Sequence, residues 1–316
     1  MMRRHRGLWA KAAAGLGLGL ALGLLLRAAP TADHESLANL PEASAVALAP
    51  PAKAGFKLRL PAPAVANAPT DAWPQVAVII DDLGLNHALT LRTIALDGPL
   101  TLSFLPYGHG LAPLAARARA GGHELFVHLP MQPKETARDP GPRALRVGMA
   151  PAALAGHVEW HLSRFDGFVG VNNHMGSRFT EDDAGMAQLF DLLKARGLMF
   201  IDSRTTARSA GAWLAARHGL RYGERDVFLD NERAAPALAL QLAELERRAR
   251  DQGTAIAIGH PHPVTIAALD QWIASLPAKK LRLVPASAII AARGSPLWRL
   301  AHDKGVSVNQ LAPGSK

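Results

Sequence analysis

The chain contains no cysteine. That excludes disulfides and thiolate metal sites, and leaves histidine and carboxylate as the side chains that could hold a metal. It does not locate the protein, because cysteine-free chains occur on both sides of a membrane. Aromatic residues are scarce at 5%, so the apolar load, 49% of the chain, falls mainly on Ala, Leu and Val. No basic stripe interleaved with aromatics accompanies the net charge of +9, and no nucleic-acid partner is expected. Long apolar runs are also few. Residues 12–26 are apolar throughout, yet fall short of the roughly 20 residues a membrane span requires.

The charge is uneven. Residues 1–73 carry eight Lys and Arg against four Asp and Glu, and the end of the chain adds Arg293, Arg299, Lys304 and Lys316 against Asp303. The body between them is close to neutral. Residues 1–11 are basic and precede the apolar run, the order of an export signal, so residues 1–27 read as a signal peptide or signal-anchor. As an anchor, residues 7–26 would hold the protein on the outer face of the cytoplasmic membrane; as a cleaved signal they would release it to the periplasm. Residues 28–73 are rich in Ala and Pro without a sustained period of 2 or 3.6, and read as a disordered or extended linker. Residues 294–316 form a basic tail.

Between these ends, apolar runs of strand length alternate with helical patterns. Strands are predicted at 76–80, 100–104, 124–128, 168–171, 199–202, 225–229, 254–258 and 281–284. Helices are predicted at 85–96, 110–120, 151–164, 180–195, 207–218, 234–252, 265–275 and 286–293. Thr180 and Asp183 resemble a capping box, and residues 133–148 read as a loop. A repeated β-α series of this kind implies a parallel sheet, open or closed into a barrel, and about eight strands suit barrel-like closure. The fold class is therefore α/β.

Polar residues fall at the ends of these strands. Asp81 and Asp82 follow the first, His128 ends the third, His174 follows the fourth, Asp202 ends the fifth, and His260 and His262 follow a late one. Carboxyl ends of parallel strands gather on one face, where sites are built. Adjacent residues of a strand point to opposite faces, so Asp81 and Asp82 can share a direction only where the strand has ended. Two neighbouring carboxylates call for a partner such as a metal. One Asp with two His is a usual set for a Zn²⁺ that keeps one position open. Taken singly, each residue also suits a turn, a cap or a core position.

The ordered segments IIDDLG, GHELFVHLPMQP, GVNNHMGS, IDSRT and GHPHP resemble the divergent polysaccharide deacetylases, a branch of the metal-dependent polysaccharide deacetylases. The resemblance runs over about residues 74–293 and implies a distorted (β/α) barrel. It implies Asp81 as general base and Asp82 as metal ligand. His128 matches the first histidine of the superfamily's second motif, whose other histidine is here Gln132. His174 is the candidate for the missing ligand. His260 matches the acid, with His262 as rival. The superfamily's Arg-x-Pro motif has no clear match, and Arg178 or Arg204 is the candidate replacement. Asp202, which could orient a histidine, joins Arg204, Asn173, His262 and Gln132 as residues expected around the site or on the substrate. The resemblance implies a divalent metal, Zn in the first instance, and removal of N-acetyl groups from an envelope glycan. A non-catalytic envelope protein using the barrel to bind glycan or protein is the alternative. The sequence carries no sign of oligomeric state.

Overall fold

A computed structural model describes residues 73–294. The signal or anchor at 1–27, the linker at 28–73 (save Trp73) and the tail at 294–316 (save Gly294) lie outside the described residues. Among the described residues no helix is long and apolar enough to cross a membrane.

Among the described residues nine parallel strands carry the fold: β1 (Gln75–Leu83), β2 (Thr101–Phe104), β3 (Glu124–Met131), β4 (Gly170–Met175), β5 (Met199–Asp202), β6 (Tyr222–Glu224), β7 (Val227–Phe228), β8 (Thr254–Gly259) and β9 (Arg282–Leu283). Their order in the sheet is β6-β5-β4-β3-β2-β1-β8-β7, with β9 paired to the start of β1. Helices α1 (His87–Ile94), α2 (Leu111–Ala120), α3 (Pro151–Leu162), α4 (Asp183–Ala195), α5 (Gly211–His218), α6 (Ala235–Gln252), α7 (Pro263–Ser275) and α8 (Ala286–Arg293) fill the crossovers and follow the last strand.

The sheet curls but has no continuous ladder between its two edges. The strand expected at 225–229 is two pieces of one extended segment. β6 pairs with β5, the backbone of Arg225 and Asp226 turns from Asp202 O to Ile256 O, and β7 pairs with β8. The curled sheet thus comes round on itself through a strand that changes partner, rather than closing as a regular barrel.

Period-2 alternation sorts the side chains into two layers. Val76, Val78 and Ile80 of β1 face outward, into the larger cluster that also holds Leu189 and Phe190 of α4 and Leu242 and Leu245 of α6. Ala77 and Ile79 face inward, with Phe126, Met199, Ile201, Ile256 and Ile258, and Ile289 and Ile290 of α8 join them there. Gly170 lies among these inward residues because a β-carbon there would meet Met199 Cγ at 2.5 Å and Phe126 Cζ at 2.7 Å.

The starts of α4 and α5 fall at Asp183 and Gly211, well after the predicted 180 and 207. Thr180 does not cap α4. It sits in a 3₁₀ turn (Phe179–Glu181) with its hydroxyl donating to Gly176 O, and Asp182 caps the helix by accepting from Gly185 N at 2.9 Å. α5 begins at Gly211, not at 207, because the Thr206 and Ser209 hydroxyls are committed to Glu181 and Asp202 instead. Short polar side chains bonded in this way compete with helix.

Candidate active site

The inward face of the sheet continues beyond the apolar plug as a polar layer. Asp81 follows Ala77 and Ile79, His128 follows Phe126, Asn172 and His174 follow Gly170, and His260 follows Ile256 and Ile258, each by steps of two. β3 and β4 run further than predicted, to Met131 and Met175, so His174, expected after its strand, is a strand residue, and His128, expected at the end of its strand, lies within it.

Asp82 breaks the rule of steps. β1 does not end at Ile80; it continues to Leu83 with an irregularity in its pairing to β2 between Ile80 and Leu83. Within it Asp82 adopts φ 57°, a left-handed conformation uncommon outside glycine. That local reversal brings both carboxylates of the pair to the same cavity without the strand ending. Gly84 follows with φ 99°, and a β-carbon there would meet Leu111 Cδ2 at 2.6 Å.

Asp82, His128 and His174 converge. Asp82 Oδ1 lies 3.0 Å from His174 Nδ1 and 3.4 Å from His128 Nε2, and ligand atoms of the three residues are all within 4.8 Å of one another. His128 Nδ1 is 2.9 Å from Asn172 Oδ1. The Asn172 amide nitrogen is committed to Asp81 Oδ1 at 2.7 Å, and its oxygen also accepts from Ser103 Oγ at 2.6 Å. Asn172 Oδ1 is therefore an acceptor, and His128 must donate to it from Nδ1. In the neutral ring that leaves a lone pair on Nε2, aimed at a carboxylate oxygen; burial lowers the His128 pKa, but Asp81 and Asp82 outweigh it and favour positive charge at this position. Asp82 Oδ1 is itself buried without a hydrogen-bond donor. An anionic oxygen facing a ring nitrogen lone pair is repulsive unless a proton or a metal ion lies between them. One carboxylate and two imidazoles are also a donor set that suits a divalent cation with an open position. The residues fit a metal. Burial pushes the Asp82 carboxyl up, but the two imidazoles outweigh it and hold the group well below the usual carboxylate range.

On one side of this cluster stands Asp81, whose Oδ1 is 3.6 Å from His128 Nδ1. Burial pushes its carboxyl up, opposed by His128, His260 and the Asn172 amide. Across the cavity His260 Nε2 lies 3.9 Å from Asp82 Oδ2. Asp230 holds that ring: Oδ1 is 2.9 Å from His260 Nδ1, while Oδ2 accepts from His260 N at 2.6 Å and Thr265 Oγ1 at 3.0 Å. Burial alone would lower His260, but Asp230, Asp81 and Asp82 outweigh it and lift the imidazole to about 9.

The remaining expected residues fall differently. Asp202 orients no histidine. It is one step out of phase with the inward Met199 and Ile201, and its carboxylate accepts from Arg204 N, Ser209 Oγ and Tyr222 OH. Gln132 does not line the cavity; its side chain accepts from Val147 N at 2.9 Å and so ties down the loop at 133–148. Asn173 does line it, and staples β4 to the next loop by accepting from Ser203 N and donating to Met175 O. Arg204 and His262 are on the wall, and Arg178 is not. His262 has no hydrogen bond to a carboxylate and stands 5.8 Å, ring to ring, from His260. Burial and Arg233 lower its pKa.

Sequence reasoning missed Asn172, Asp230 and Arg225. A signal existed for two of them: Asn172 is in phase with His174, and Asp230 is in phase with Phe228 on the cavity wall. The cavity holds about 600 Å³, within the usual range for small-molecule sites. Among the described residues, three of the five non-glycine residues with positive φ, namely Asp82, Met175 and Arg204, line it. Strain of this kind collects at functional sites.

Residues 78–290 match the family described as divergent polysaccharide deacetylase. An uncharacterized protein of Haemophilus influenzae is 32% identical over 208 residues, 65% of this chain and 73% of its own. The uncharacterized protein YibQ of Escherichia coli is 31% identical over 217 residues, 68% of this chain and 67% of its own. The crystal structure of an uncharacterized protein from Agrobacterium tumefaciens superposes with a TM-score of 0.67 at 28% identity, over 69% of this chain and 89% of that one.

Proposed function

The chain belongs to the divergent polysaccharide deacetylase family, and from that premise we propose that it is a metal-dependent hydrolase that removes N-acetyl groups from a glycan of the cell envelope. The observation that carries this is the buried, undonated Asp82 Oδ1 facing His128 and His174. Asp81 and His260 flank it at the two sides where a base and an acid are needed.

Asp82, His128 and His174 would hold the metal, with Zn²⁺ the ion the donor set suits best. When bound it would supply a polarised acetyl carbonyl and a water of lowered pKa. Asp81 takes a proton from the attacking water as the new C–O bond forms. Burial raises its carboxyl, and a cation held at Asp82 would oppose that and favour the ionised form a base needs. His260 keeps Nδ1–H on Asp230 and presents Nε2 to the cavity. As an imidazolium it donates from Nε2 to the nitrogen of the breaking C–N bond, so acetate and a free amine leave. Asn172 holds the Asp81 carboxylate and fixes the His128 tautomer at once, the kind of support that orients ligands in metal sites.

We further propose that residues 1–27 direct export and that the domain acts outside the cytoplasm. This is supported by the basic residues before the apolar run at 12–26. The activity is tested by metal content of purified protein together with acetate release from a panel of acetylated envelope glycans. Protein that binds stoichiometric metal yet releases no acetate from any of them would instead be a non-catalytic glycan binder.

A further inference from the structure

The charges lining the cavity do not balance once the catalytic groups are paired. Its carboxylates are Asp81, Asp82 and Asp230, and its guanidiniums are Arg138, Arg204, Arg225 and Arg233. Each carboxylate already has an answer: Asp82 faces the two imidazoles, Asp230 holds His260, and Asp81 receives the Asn172 amide. A divalent cation at Asp82 would add further positive charge. Two arginines are paired away from the chemistry, Arg204 with Glu224 at 3.0 Å and Arg138 with Glu135 at 2.6 Å. Among the described residues, Arg225 and Arg233 form no ion pair.

Arg225 is the informative one. It sits where the chain leaves β5 for β8, is half-buried, and is held rigidly. Nε donates to Ser203 O at 2.8 Å, Nη2 donates to Arg204 O at 3.0 Å, and the guanidinium stacks over Phe228 at 5.0 Å. Those contacts use two of five N–H donors and none of the charge, because a neutral donor could make them equally well. Burial and the neighbouring Arg204 push against the charged form, and Asp202, Asp81 and Asp226, none of them ion-paired with it, offset this only in part. A desolvated, immobilised guanidinium with free donors, set in the wall of a cavity, is built to receive a planar or tetrahedral oxyanion.

Resting on the deacetylase function proposed above, we infer that the glycan taken by this site is acidic: it carries a carboxylate or a phosphate near the acetylated sugar, and Arg225 receives that group. The two sources share the chemistry of an oxyanion accepting from a guanidinium fork. A sugar acid or a carboxyalkyl ether would supply the first, and a sugar phosphate the second. Arg233, exposed on the same wall, adds charge that draws such a substrate in without fixing its position.

The test uses metal-loaded protein and three acetylated trisaccharides that differ only in one substituent: neutral, carboxylate-bearing or phosphate-bearing. Binding is measured by calorimetry at about 0.15 M salt, where exposed charges are largely screened, and acetate release is followed on the same compounds. Wild-type protein is expected to bind one of the acidic compounds at least about tenfold more tightly than the neutral one, the scale of a charge-assisted pair. The better of the two identifies the oxyanion. In Arg225→Gln the preference should shrink to about twofold, while Arg225→Lys should retain part of it, since the charge stays and the fork goes. Equal binding of all three compounds by wild-type protein overturns the inference without needing any variant, and so does a preference that survives Arg225→Gln. The two proposals fail separately. A preference for the acidic compound with no acetate released from any would leave acidic recognition standing and remove the hydrolase. Equal binding with equal acetate release would do the reverse.

Discussion

Asn172 donates to Asp81 Oδ1 at 2.7 Å, and this contact sets which way its amide faces. The amide oxygen is thereby turned to His128 Nδ1, 2.9 Å away. One buried side chain on β4 therefore governs both the proposed base on β1 and the tautomer of a proposed ligand on β3. Its position opposite His128 in the β3–β4 pairing makes this possible.

Replacing Asn172 should consequently weaken metal binding although it touches no metal. Asn172→Leu keeps much of the volume and removes its hydrogen bonds to Asp81 and His128, along with those to Ser103 and Ser203. Zn²⁺ affinity, read by chelator competition, is expected to fall about 10–100-fold, the usual cost of losing such support. Affinity within about twofold of wild type would show that His128 needs no help from Asn172.

Asp81 and Asp82 should separate cleanly despite being adjacent. Asp81→Asn is expected to lower turnover by roughly 10²–10⁴-fold with metal content nearly unchanged. Asp82→Ala should lose the metal. In a thermal melt, Zn²⁺ at a hundredfold excess over Kd should stabilise wild-type protein by about 2.7 kcal/mol and Asp82→Ala protein hardly at all. Asp81→Asn protein with full turnover would remove the general-base assignment, and equal stabilisation of wild-type and Asp82→Ala protein would remove the metal ligand.

Asp230 acts through His260 and is a positioning residue. In Asp230→Asn the amide oxygen can serve His260 N and Thr265, which turns the amino group toward His260 Nδ1 and disfavours the imidazolium. The expected result is a fall in kcat of about 10²-fold. KM and metal content should change little, and the alkaline limb of the pH profile should move toward lower pH. A wild-type kcat with an unmoved pH profile would show that the ring is held by other means.

His161 offers a pH test of the fold rather than of the chemistry. It is fully buried, donates from Nε2 to Arg143 O at 2.9 Å, and leaves Nδ1 without a partner. Burial holds its pKa at about 4, below the ordinary 6.5. Between those values the unfolded chain binds the proton first, so stability is fully present above about 6.5 and is lost as pH falls toward 4. The loss carried by this residue is on the order of 3 kcal/mol. Urea midpoints at pH 7.5 and 4.5 should therefore differ more for wild-type protein than for His161→Gln. The same difference in both proteins would mean that other groups carry the acid sensitivity.

The export proposal has its own test. A reporter that works only outside the cytoplasm, fused after Trp73, should be active in cells. Activity confined to a cytoplasmic reporter at the same junction would refute export.

The α/β alternation was legible in the residues because short β-branched runs bounded by Gly and Pro can hardly be anything but buried strands. Most of the polar residues at their ends were legible for the same reason, since carboxyl ends of parallel strands share a face whatever their separation in the chain. The direction of each side chain was legible in principle. Asp202 is out of phase with Met199 and Ile201, which places it outside the site, whereas Asp81, His128 and His260 are in phase with the inward Ile79, Phe126 and Ile258. What the tertiary structure alone decided is adjacency and the departures from period 2. That Asp230 would serve His260 depends on β7 lying against β8, and that Asn172 would serve both Asp81 and His128 depends on the curl of β1, β3 and β4 round one cavity. That Asp82 would turn inward depends on a left-handed residue within β1. Local pattern encodes which way a residue points along its own strand. It does not encode which strand lies beside it, because that is settled only when the whole apolar face has been buried.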